Sequence, residues 1–119
     1  MDVSTRRGDL PNLTKKEFAD VFLQYADQVL DLPDRTDRTF ELPDGRLLRF
    51  WHIIFPATQR HPELREWAVH LYTLDQRTPR CLRKLKQREA WLYLAPYDEE
   101  PGSTYKTDPT GKWSYHVWR

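Results

Sequence analysis

The sequence predicts an α+β domain, with an N-terminal helix and a short basic helix packed on one face of an antiparallel sheet of about five strands. Three observations carry this prediction. A complete helix-start signature precedes an amphipathic stripe near the N-terminus. Most of the remaining chain reads as short β-rich runs. Proline, glycine and acidic turn residues separate those runs.

Residues 1–12 show no periodicity and are expected to form a mobile arm ahead of a single domain spanning 13–119. In Leu13-Thr14-Lys15-Lys16-Glu17-Phe18, the Thr14 hydroxyl can accept from the Glu17 amide and the Glu17 carboxylate from the Thr14 amide. Leu13 can staple onto Phe18. Phe18, Val21, Phe22, Tyr25, Val29 and Leu30 follow at helical spacing, and Pro33 disfavours helix at Leu32, so a helix is predicted over about 15–31.

Residues 38–55 read as a β-hairpin. Pro43 presets φ and Gly45 accepts a positive φ in the turn between TFEL and LLRFWHIIF. Segment 62–75 carries signals of both kinds: Pro62 with Leu64, Trp67 and Leu71 suits a helix, whereas WAVHLYTL suits a strand. Strand is favoured, over about 66–74. Thr78-Pro79 offers an N-cap and a proline at the first helical position, opening the basic helix with Leu82 and Leu85 inward. EAWLYLAPY and KWSYHVW supply further strands, with 98–111 as a long polar loop between them.

Side-chain parity then sorts the strands into faces. A regular meander puts Trp67, Val69 and Leu71 with Trp91, Tyr93, Trp113 and Tyr115. Ala68, His70, Tyr72, Leu74, Leu92, Leu94, Ser114, His116 and Trp118 would lie beneath the helices.

Charge is unevenly placed. The chain of 119 residues carries a net charge of +1. Residues 77–97 nevertheless hold Arg77, Arg80, Arg83, Lys84, Lys86 and Arg88 against Glu89 alone. Such asymmetry argues about partners rather than fold. A lone cysteine, Cys81, fits a reducing compartment, and no apolar run approaches the roughly 18 residues that cross a bilayer. A cytoplasmic protein without a membrane partner is expected.

Enzyme signatures fail on inspection. Gly111-Lys112 is followed by Trp113, and position 106 is Lys where a phosphate loop needs its first glycine. Pro43-Asp44 hints at a nuclease core but lacks the acid-x-Lys that would follow. His52, His70 and His116 could share one sheet face, yet none stands at a metal-ligand spacing. Cys81 among cations has the surroundings of a reactive thiol but no neighbouring histidine to act as base. The expectation is therefore no catalytic residue, no metal and no cofactor.

What remains is a small non-catalytic binding or regulatory protein that docks on a macromolecule. Its expected surface combines the basic patch (Arg77, Arg80, Arg83, Lys84, Lys86, Arg88) with an aromatic face (Trp67, Trp91, Tyr93, Trp113, Tyr115). A protein partner with an acidic surface is favoured, because a dedicated nucleic-acid binder is usually strongly basic. The alternative is a single-stranded nucleic-acid binder that stacks bases on the aromatic face. An enzyme of unrecognised type is the third reading.

Overall fold

The computed structural model describes residues 11–60, 62–75, 83–94 and 105–119. Among the described residues it is an α+β fold with one α-helix and one sheet. Helix α1 spans Lys15–Tyr25 and runs into a 3₁₀ turn, Ala26–Val29. The strands are β1 (Thr36–Glu41), β2 (Leu47–Phe55), β3 (Leu64–Asp75), β4 (Arg83–Leu94), β5 (Lys106–Thr107) and β6 (Trp113–Val117). They form an antiparallel sheet in the order β1-β2-β3-β4-β6-β5.

α1 starts where its capping box dictates. The Thr14 hydroxyl accepts from the Glu17 amide at 3.1 Å, and the Glu17 carboxylate accepts from the Thr14 amide at 2.8 Å. Hydrogen bonding of the carboxyl to the Thr14 backbone, and then to its side chain, holds Glu17 below its usual pKa range. The β1–β2 turn closes through Leu42 N–H to the Arg46 carbonyl at 2.8 Å, with Gly45 at φ 92°. Only a glycine takes that conformation without steric cost.

One face of the sheet is packed. Phe18, Phe22, Ala26 and Val29 from the helical segment meet Leu48, Phe50, Trp67, Val69, Leu71, Leu92 and Trp113, all of them buried. Each large side chain removed from water here contributes roughly 1.5–3 kcal/mol. Trp67 lies at the centre, stacked on His52 at 4.3 Å and edge-on to Trp113 at 5.2 Å, with its indole N–H donated to the Val29 carbonyl at 3.1 Å.

Strand wins over helix in segment 62–75. Pairing with both β2 and β4 satisfies the β3 backbone on two sides and outweighs the helix-start proline at 62. The predicted basic helix is corrected over its described part: Arg83, Lys84, Leu85, Lys86 and Arg88 belong to β4 and pair with β3. A helix would set Arg80 beside Lys84 and Lys84 beside Arg88 at i,i+4, where like charges repel, and a strand spreads them. Residues 76–82, including Arg77, Arg80 and Cys81, lie outside the described residues, as do 1–10 of the expected arm. The sheet also has a sixth strand, because Lys106-Thr107, inside the expected polar loop, pairs with Tyr115 and Ser114.

β4 outruns its outer neighbour. Its pairing with β6 covers Ala90–Leu94, and the Glu89 N–H and carbonyl bond the Arg119 backbone. Among the described residues, the outer side of 83–88 has no partner strand. Among the described residues, no helix is long and apolar enough to cross a membrane.

Candidate docking face

Register decides which side chains share a face. Ala68 pairs with Trp51 on one side and with Trp91 on the other, and Trp91 pairs with His116. Since Trp67 and Trp113 point toward α1, Trp51, Ala68, Trp91 and His116 form a row on the opposite face. Strands are about 4.8 Å apart, so Trp51 and Trp91 stand about 10 Å apart across the small Ala68 side chain. By register and side-chain size, the small Ala68 makes a dip between the two indoles.

Half-buried apolar groups surround the dip. Ile53 and Phe55 continue the Trp51 side along β2, with Phe55 44% exposed. Trp118, 42% exposed, stacks on Trp91 with ring centroids 6.3 Å apart. Tyr72 stacks on His70 at 5.9 Å. The Arg49 guanidinium lies 5.6 Å from the Trp51 ring and bonds Asp37 at 2.6 Å, an interaction that raises its pKa.

Beside the row sits a buried carboxylate. Glu89, with a side chain only 5% exposed, is approached by Lys86 Nζ at 2.9 Å, by His70 Nδ1 at 3.4 Å and by Arg119 Nη1 at 3.4 Å. Burial, helped by the Lys86 charge, holds the His70 pKa below the usual histidine value. Further along, the Tyr93 hydroxyl donates to Glu66 at 2.8 Å. Burial pushes both groups up, the Tyr93 phenol strongly.

The predicted site residues disperse across this framework. Trp67, Trp113 and Tyr115 lie on the helix side: Trp67 and Trp113 are core, and Tyr115 packs edge-on against Phe22 at 5.7 Å. Tyr93 lies on the opposite face but is 4% exposed. Trp91 alone of the five is half-exposed on that open face. Conversely Ala68, His70, Tyr72, His116 and Trp118, expected beneath helices, belong to the open face. β4 is offset by one residue from the meander assumed from sequence, so its parity is reversed relative to β3 and β6.

The basic set is divided likewise. A register shift between Leu71 and Tyr72 puts Lys86 opposite Tyr72 and Arg88 opposite Leu71. Lys86 therefore reaches Glu89 on the open face, whereas Arg88 Nε donates to the Leu13 carbonyl at 2.7 Å, tying β4 to the start of α1. Arg83 and Lys84 are placed by their strand backbone, opposite Asp75 and Leu74.

The three strand histidines do not converge. His52 is fully buried on the helix side, where Nδ1 donates to the Leu32 carbonyl at 2.8 Å and Nε2 accepts from Arg65 at 3.2 Å. His70 and His116 face the other way. Among the described residues, no group of three or more His, Cys, Asp or Glu side chains could hold a metal ion.

Sequence reasoning missed Trp51, Ala68 and Trp118 as members of one surface. The signal within β2 was present, since Trp51, Ile53 and Phe55 alternate with Leu48, Phe50 and His52. The partnering of Ala68 with two tryptophans required the register. No protein-family model, curated protein or solved structure matches the chain.

Proposed function

We propose that the protein is a small non-catalytic binding module that docks on another protein through the sheet face opposite α1. The observation that carries this reading is the row Trp51–Ala68–Trp91, backed by Trp118: two indoles flanking a small residue on a face that no described helix covers. A dip of that width accepts one apolar or aromatic side chain, and Trp, Tyr and Arg are the residues that dominate binding energy at protein interfaces.

The partner surface is acidic. Arg49, Lys86 and Arg119 border the dip, and β4 continues from it into the segment that holds the chain's cationic surplus. Arg49, Lys86 and Arg119 already contact Asp37 or Glu89, so their role is orientation and encounter rate more than affinity. Base stacking is the weaker reading, because Trp67, Trp113 and Tyr93 are buried and offer no ring to a nucleotide.

The test uses Trp118→Ser and Lys86→Glu variants with the full chain as bait. Trp118 is exposed enough for its loss to leave the core intact. A partner retained by the wild type, lost by Trp118→Ser and weakened by Lys86→Glu, with amide-exchange protection on β2–β4, supports docking on this face. Equal retention by all three sinks the assignment. Binding of a single-stranded oligonucleotide that falls log-linearly with salt and is lost in Trp118→Ser would replace it with the nucleic-acid reading.

A further inference from the structure

A cavity of about 340 Å³ lies between the start of α1 and strands β5 and β6. That volume is within the range of small-molecule sites. Lys15 and Lys16 line it from α1, and Lys106 lines it from β5. Among the described residues none of these lysines is paired with a carboxylate. Asp20 is the one acid among the described residues of the lining, so three lysines are set against a single carboxylate.

Stability does not account for this arrangement. Lys15 and Lys16 occupy the first two positions of α1, where the helix dipole disfavours cations. The acid of that turn, Glu17, is engaged in the capping box and is not among the residues lining the cavity. An anion placed among these three lysines would offset both their mutual repulsion and the unfavourable helix field.

The remaining walls are apolar and fixed. The Tyr115 ring is held edge-on by Phe22, and Ala19 and Val117 complete an apolar lining. His116 also borders it, with its ring on the open sheet face 5.4 Å from Tyr105. The Tyr115 phenol is a neutral donor, and burial raises its pKa further.

We infer that this cavity binds a phosphate monoester carried on a small aromatic or apolar body, with Lys15, Lys16 and Lys106 around the phosphate and the body against Tyr115, Ala19 and Val117. The charge excess of three lysines over Asp20 matches a dianion. Lysine binds phosphate as a point charge, without the bidentate geometry an arginine would impose. The inference is independent of docking through the Trp51–Trp91 face.

The experiment is an amide chemical-shift titration of the full chain with phenyl phosphate, inorganic phosphate and phenol. The expected result is saturable shifts for phenyl phosphate, confined to the first turn of α1 and to residues 106 and 115–117, weaker shifts for inorganic phosphate, and none for phenol. Lys16→Met and Lys106→Met should each weaken phenyl phosphate by roughly fivefold, the upper range for exposed charge pairs. Lys112→Met, whose ammonium pairs with Asp27 at 2.9 Å, should leave binding unchanged. The inference is overturned by absence of phenyl phosphate shifts in the wild type, by phenol or inorganic phosphate binding as tightly, or by Lys112→Met weakening binding as much as Lys106→Met. The wild-type map decides the location even where a variant does not fold.

Discussion

Trp67 and Trp113 offer a test of what a buried hydrogen bond is worth in this core. Both indoles are buried, at 0% and 2% exposure, and their rings touch at 5.2 Å. Replacing either by phenylalanine removes the same atoms from the same cluster, a truncation worth about 1–2 kcal/mol as a fraction of the 3–5 kcal/mol for complete removal. The acceptors differ. Trp67 donates to the Val29 carbonyl in the core, which would keep only a 3.3 Å bond from the Leu32 N–H. Trp113 donates to Asp27, a side chain 68% exposed that retains Lys112 and water. Trp67→Phe therefore carries an additional cost of about 1 kcal/mol, the net value of a buried hydrogen bond, and Trp113→Phe does not. Urea unfolding at neutral pH should give about 2–3 kcal/mol of destabilisation for the first and about 1–2 kcal/mol for the second, with unchanged m-values. Equal losses, or a larger loss at Trp113, would refute the reasoning.

Three further outcomes are expected. Burial raises the Glu66 pKa, so its charged form opposes folding, and stability is lost as pH rises from the unfolded value through the folded one; Glu66→Gln should raise Tm at pH 7 and change it little at pH 4, by thermal denaturation monitored by circular dichroism. His70 has its pKa lowered, first by burial, so in acid the unfolded chain takes the proton before the folded one and stability falls as pH drops below about 6.5. His70→Gln should flatten the Tm profile between about pH 7 and pH 5, and an unchanged slope would assign it to other groups such as His52. Gly45→Ala, at φ 92°, should cost about 1 kcal/mol in urea unfolding without altering m.

Much of the fold was legible because local signals agree with tertiary needs. The capping box at Thr14 and Glu17 and the turn at Pro43-Asp44-Gly45 are local devices, and each forms as written in the chain. The helix in the basic segment was misread because Thr78-Pro79 is a good start signal, whereas pairing with β3 lies outside any local window. The face assignment failed for the same reason. Parity holds within a strand, but the register between strands depends on turn geometry and on the shift at Leu71/Tyr72, and one step exchanges buried for exposed at every position. Four of the five predicted aromatics are buried or packed on the core, and Trp51 and Trp118 join Trp91 on the open face. The lysine-lined cavity had no local signature, since Lys15 and Lys106 meet only through the packing of α1 beside β5 and β6.

The overhang of β4 past β6 has a consequence for how molecules of this protein coexist at high concentration. A bare strand margin is a template for hydrogen-bonded pairing with a second copy, and such pairing propagates into ladders. Along 83–88 the chain supplies Arg83, Lys84, Lys86 and Arg88, so two such margins brought together would repel. The same cationic crowding that disfavours a helix here also opposes pairing of two such borders, and replacing these cations by neutral residues should increase association between copies.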